Sequence, residues 1–136
     1  MKRRKIRSLS VSEIGMGCMG FSHGYGQVPG AGYAEEAIRE AFGYGCNFFD
    51  TAEGYGKELY YPGHNEEIVG RAVRGFRNEV VIATKLHIQP EAVEDCGSVY
   101  AAVRRHLERS LKNLQTDYVD LYYLHRINME VDNLEV

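Results

Sequence analysis

Val80-Val81-Ile82-Ala83-Thr84-Lys85 is the stretch that decides what kind of sheet this chain builds. Its first four residues are apolar without a break. A strand with one wet face alternates apolar and polar residues, whereas a strand covered on both faces reads as a continuous apolar run, as parallel sheets require. The run ends on an ionisable side chain, Lys85. Two further runs share that plan. Residues 46–49 lead to Asp50, and residues 119–124 lead to His125. A fourth run, residues 14–18, lies nearer the N-terminus.

Helical patterns fill the gaps between these runs. Residues 34–44 place Ala34, Ile38, Ala41 and Phe42 on one side, with Gly43 and Gly45 as closing signals. A second helix is expected to open at Asn65 as N-cap. Glu66 and Glu67 then sit in the first turn, where the helix dipole favours negative charge. Its apolar side is Ile68, Val69, Ala72, Val73 and Phe76, and Gly75 marks its end. A third opens at Ser98 and carries Val99, Ala102, Val103, Leu107, Leu111 and Leu114 at helical spacing. The order is strand then helix three times over, closed by a strand, at the spacing of βαβ units. Residues 3–11 read as a small N-terminal hairpin. Residues 21–32 and 54–63 read as long loops after strands. Such an α/β chain fits either an open sheet or a barrel.

Composition narrows the partners. With 136 residues, one domain and one modest core are expected. A net charge of -3 gives no reason to expect nucleic acid or an anionic membrane as a partner. The basic cluster Lys2-Arg3-Arg4-Lys5 has no apolar run behind it, so it does not read as a secretory signal. No stretch approaches bilayer length. Cys18, Cys46 and Cys96 are odd in number and scattered, which fits a reducing, cytoplasmic setting rather than a disulfide framework. His23, His64, His87 and His106 show no metal-ligand spacing, so no metal is expected.

The chemistry lies at the strand ends. Parallel strands put their C-terminal edges on one side, so Asp50, Lys85 and His125 are expected to converge on one pocket. Tyr55 follows Asp50 by five residues between Gly54 and Gly56, neighbours expected to let its phenol swing over the strand ends. A carboxylate, an ammonium, a phenol and an imidazole together suit protonation of a carbonyl oxygen. The ammonium favours the phenolate and eases proton donation; the carboxylate holds the ammonium; the imidazole orients the oxygen. Taken singly, each of the four has a blander structural reading, and their joint register is what outweighs it. The run Gly15-Met16-Gly17-Cys18-Met19-Gly20 matches G-x-G-x-x-G, but a dinucleotide fold needs a helix to start within it. The following residues 21–32, rich in glycine and holding Pro29, speak against one.

Five segments carry a resemblance. Asp50-Thr51-Ala52-Glu53-Gly54-Tyr55-Gly56 resembles the D-T-A-x-x-Y-G signature of aldo/keto reductases. Asn65-Glu66-Glu67-Ile68-Val69-Gly70 resembles the family's N-E-x-x-[VL]-G helix. Ala83-Thr84-Lys85 resembles the strand that ends in its catalytic lysine. Ser110-Leu111-Lys112-Asn113-Leu114 with Asp117-Tyr118-Val119-Asp120-Leu121 is similar to the segment before its histidine strand, and Leu124-His125-Arg126 to the end of that strand, especially in the bacterial branch.

The resemblance implies a TIM (β/α)₈-barrel of which residues 1–136 form a single partial domain, the first half up to the fourth barrel strand. It implies Tyr55 as general acid, Asp50 and Lys85 as the pair that tunes it, and His125 as the group that positions the carbonyl. It implies NADP(H) as cofactor, contacted by Gly17, Cys18, Met19 and Asp50, and a small aldehyde or ketone as substrate. A barrel takes about 250 residues, so the family's adenosine and 2′-phosphate contacts fall outside these residues. Open first and fourth strands are expected to drive self-association or pairing with a chain that completes the barrel. Three readings stay open: sequence of a reductase active only at full length, one half of a split enzyme, or a non-catalytic NADP-binding or regulatory module.

Overall fold

The computed structural model describes residues 1–24 and 26–132. The chain opens with an antiparallel hairpin of β1 (Arg3–Ile6) and β2 (Leu9–Ser12). Asn47 ties this hairpin to the main sheet: its Oδ1 accepts from the Ser12 N–H at 2.6 Å and its Nδ2 donates to the Ser10 carbonyl at 3.0 Å. There follow β3 (Met16–Gly17), α1 (Ala31–Gly43), β4 (Phe48–Asp50), α2 (His64–Ala72) and β5 (Val81–Leu86). α3 (Pro90–Cys96), α4 (Val99–Leu114) and β6 (Leu121–Leu124) complete the described elements.

The continuous apolar run does form a central strand. β3, β4, β5 and β6 make one parallel sheet in that order, so β5 has a neighbour on each side. Strand order follows chain order, as in a barrel wall, and among the described residues the sheet is not closed into a ring. Register sets Gly17 opposite Asp50, Asp50 opposite Ala83, and Lys85 opposite Tyr123. Because side chains alternate along a strand, Lys85 and Ala83 share one face while Ile82, Thr84 and Leu86 share the other.

The helix-side face carries the core. Phe49 and Ile82 from the sheet pack with Ile38 of α1, Ile68 and Val69 of α2, and Leu114 of α4, all essentially inaccessible to water. Each such side chain contributes about 1.5–3 kcal/mol by leaving water. Phe42 and Phe76 stack at 4.2 Å between ring centroids beside it. Gly70 lets α2 and α4 touch backbone to backbone, since a Cβ there would stand 2.4 Å from the Leu114 carbonyl oxygen. Below that contact, Glu66 is buried. Its carboxylate accepts from Thr84 Oγ1 at 2.6 Å and from Asn113 Nδ2 at 2.9 Å, joining α2, β5 and α4. Burial raises its carboxyl above the usual carboxylate range, against the pull of those donors.

Four expectations shift in detail. α1 starts at Ala31, so the loop expected over 21–32 ends earlier. A single 3₁₀ turn, Met19–Phe21, does begin inside the glycine motif, but it ends at Ser22 without becoming an α-helix. α2 opens one residue before Asn65, with Gly63 as N-cap, and Asn65 turns inward. α3 was not expected; Pro90 sits at its first turn, and its short apolar side, Ala92, Val93 and Cys96, packs half-buried against Leu86 and Ile88, too few residues to stand out as a stripe. Ser98 does cap α4, its Oγ accepting from the Ala101 N–H at 3.1 Å. No helix among the described residues is long and apolar enough to cross a membrane.

Candidate active site

The parallel register brings three strand ends to one edge. Lys85 lies on the sheet face shared with Ala83, and its Nζ reaches across to β4. It donates to Asp50 Oδ1 at 2.5 Å, to the Thr51 carbonyl at 2.6 Å and to Tyr55 Oη at 3.3 Å. An ammonium has three N–H donors, and all three are used. The Tyr55 oxygen therefore accepts from Lys85, which leaves its own O–H free to donate elsewhere. Lys85 is well shielded, with 15% of its side chain exposed, whereas Asp50 keeps 36%.

His125 follows β6 directly, and its backbone N–H donates to the Leu86 carbonyl at 2.8 Å. Its ring meets Tyr55 edge-on, with centroids 5.5 Å apart. Burial holds its imidazole below the ordinary histidine range; Lys85, Arg126 and His87 push the same way, and Asp50 opposes them. The neutral imidazole is favoured at neutral pH, and it can give one hydrogen bond without a formal charge. Tyr55 and His125 together line a cleft of about 290 Å³.

The residues from 13 to 136 match the model of the Aldo/keto reductase family. The chain belongs to the aldo/keto reductase family. It is 36% identical to the uncharacterized oxidoreductase YqkF of Bacillus subtilis, aligned over 99% of this chain and 42% of that protein. It is 38% identical to the aldo-keto reductase yakc [NADP(+)] of Schizosaccharomyces pombe, over 93% of this chain and 37% of that one. Among solved structures it resembles the holo form of aldo-keto reductase AKR11C1 from Bacillus halodurans. The TM-score is 0.77 at 31% identity, covering 99% of this chain and 43% of that one. An aldo-keto reductase from Klebsiella pneumoniae in complex with NADPH gives 0.71 at 33%, over 95% and 42%. The chain thus spans about two-fifths of the length of these relatives, and its fold is the first half of their TIM barrel.

In this aldo/keto reductase chain the loop bearing Tyr55 is held, not free to swing. Tyr55, Lys57 and Leu59 N–H groups donate to carbonyls three residues back, at 3.1, 3.3 and 3.2 Å. Gly56 has φ +93°, and a Cβ there would lie 2.9 Å from Ser22 Cβ. It serves a fixed turn and a close approach. Glu53 anchors the same loop. Its Oε1 accepts from the His87 N–H at 2.9 Å and its Oε2 pairs with His106 Nδ1 at 2.7 Å.

Asn65 binds the loops that follow β3 and β4. Its Nδ2 donates to the Cys18 carbonyl at 2.9 Å and to Ser22 Oγ at 2.8 Å, while its Oδ1 accepts from Thr51 Oγ1 at 2.7 Å. Cys18 is consequently sealed: its side chain is inaccessible, its N–H donates to the Asp50 carbonyl at 2.8 Å, and its carbonyl is taken by Asn65. Gly17 is exposed with open space beside its Cα, and Met19 is half-buried on the rim of the Tyr55 cleft. Glu53, His106 and Asn65 escape a sequence reading as site residues, because each acts on a partner tens of positions away. No cluster of metal-ligating side chains occurs among the described residues.

Proposed function

We propose that Asp50, Tyr55, Lys85 and His125 form the reaction centre of an NADP(H)-dependent aldo/keto reductase that interconverts a small aldehyde or ketone and its alcohol. The observation that carries this reading is the chain of contacts from Asp50 Oδ1 through Lys85 Nζ to Tyr55 Oη, with the His125 ring at its edge. Two relatives support NADP(H): one carries NADP(+) in its name and one was solved with NADPH.

The site's chemistry fits the cofactor. Gly17 offers an open approach, Met19 an apolar rim, and Asp50 a carboxylate that is only partly covered. Gly17, Met19 and Asp50 would hold its nicotinamide end, and the sealed Cys18 would act by shaping the strand end. When bound, the cofactor supplies or accepts the hydride. Tyr55 then donates its O–H proton to the carbonyl oxygen as charge builds there, and Lys85 stabilises the phenolate left behind. Asp50 keeps Lys85 charged and aimed. Neutral His125 donates a hydrogen bond that aligns the same oxygen. Run backward, the phenolate takes the alcohol proton.

The test is an NADPH fluorescence titration of the purified chain, followed by carbonyl-dependent NADPH oxidation with Tyr55→Phe as control. Turnover that Tyr55→Phe abolishes supports the reading. Binding without turnover points to a partner that completes the enzyme or to a regulatory role.

β3 and β6 each have one neighbour among the described strands, and Tyr123 on β6 is 42% exposed. Such edges accept further strands. The 136 residues, as one partial barrel domain, would pair with more β-structure, from a second copy or from a chain that completes the barrel. Elution as a stable monomer in gel filtration would count against this.

A further inference from the structure

We propose that the Tyr55–His125 cleft selects carbonyl compounds that carry an anionic group, with a carboxylate held by Arg126 and Lys57. This rests on the carbonyl-reducing role proposed for Tyr55. The cleft is lined by two permanent cations, Arg126 and Lys57, and by His23, His87 and His125. Its single carboxylate, Glu58, faces His23 at 3.7 Å. Lys85, the third cation nearby, is committed to Asp50, Thr51 and Tyr55. Arg126 and Lys57 have no carboxylate partner among the described residues. Two uncommitted cations therefore face a cleft that holds a single carboxylate, Glu58.

The field of these groups reaches the reaction centre, since Arg126 is among the groups that keep His125 neutral. Guanidinium is matched in shape to carboxylate and binds it through two parallel N–H bonds. The cleft, at about 290 Å³, is small for a ligand pocket, where roughly 300–1,000 Å³ is usual. A compact substrate with its carbonyl at Tyr55 and a charge on the rim fits it best. The cofactor's phosphates are a second anion source for the same cations, and the experiment separates the two.

The binding arm uses a product pair that differs by the charge and one methyl, 4-(hydroxymethyl)benzoate and its methyl ester, titrated into the full chain while the His125 and His87 imidazole signals are followed by NMR. The carboxylate is expected to bind at least about tenfold more tightly. That advantage should vanish in Arg126→Gln and shrink in Lys57→Gln, with the remaining spectrum unchanged because both side chains are exposed. Equal binding of acid and ester, or displacement of the acid by NADPH, overturns the proposal. The rate arm compares 4-carboxybenzaldehyde with methyl 4-formylbenzoate. A kcat/KM ratio of about ten or more is expected, falling to about one in Arg126→Gln. Equal rates sink the anion preference and leave the reductase reading intact. Tight, Arg126-dependent binding with no Tyr55-dependent oxidation leaves the anion site standing and counts against turnover by this chain alone.

Discussion

Glu53 and His106, 53 positions apart in the chain, meet at 2.7 Å with only 12% of each side chain exposed. The contact clamps the Tyr55 loop onto α4, and the other Glu53 oxygen clamps it onto the residue after β5.

Glu53→Ala would strand both the His87 N–H and the His106 ring. Losing hydrogen bonds to a charged, shielded group costs about 1.5–3 kcal/mol. A urea midpoint lowered accordingly is expected, with Glu53→Gln between it and the parent because the amide oxygen can still accept from His87. An unchanged midpoint for Glu53→Ala would mean that the clamp adds nothing.

Gly70→Ala tests the contact between α2 and α4. In a free helix alanine would stabilise by roughly 1 kcal/mol. Here the new methyl meets the Leu114 carbonyl, so the helices must separate, and overpacking of that kind costs about 1–3 kcal/mol. Thermal unfolding should show a net loss. A gain would place the helices further apart than described.

Thiol chemistry should divide the cysteines. Burial pushes the Cys18 thiol up to about 12, with the Asp50 charge adding to it. At pH 8 only ~1 in 10⁴ such thiols is ionised, and the thiolate is the reactive form. Cys46 is buried as well, whereas Cys96 is partly exposed. Ellman's reagent should find one fast thiol in the native chain and three after unfolding. Fast reaction at Cys18 would contradict its sealed position.

His125 provides a pH signature. Its folded value lies below the ordinary histidine range, so the unfolded chain binds more protons at this site as pH falls through that interval. The associated stability is complete above the ordinary value and is lost as pH drops through the lowered one. NMR titration should place His125 below a free histidine, and Arg126→Gln should move it upward. Titration at the ordinary position would mean that burial and the flanking cations do not act on this ring.

The parallel sheet was legible because its evidence is local. An unbroken apolar run such as 80–83, followed by an ionisable residue, carries both the burial of the strand and the polarity of its end. Three such ends yield the edge on which Asp50, Lys85 and His125 meet. Ser98 was legible for the same reason, since a cap acts within three residues. Asn65 shows the limit. An asparagine before Glu66-Glu67 looks like a cap, yet its amide is spent on Cys18 and Ser22, 47 and 43 positions away. Nothing in the neighbouring residues encodes that choice. α3 was hidden differently: about two turns, with only Ala92, Val93 and Cys96 on the packed side, are too short to show a periodicity. The freedom first read into Gly54 and Gly56 also gave way, because Gly56 is fixed by what it touches rather than by what it lacks.

The Asn65 amide has a practical corollary for anyone re-engineering the molecule. Thr51, Ser22 and the Cys18 carbonyl all converge on it, so the segments after β3 and β4 are one inherited module rather than two. Swapping either segment with that of a homologue, without transplanting its complement, would leave a polar group stranded in the dark interior. Chimeras should therefore be cut outside both.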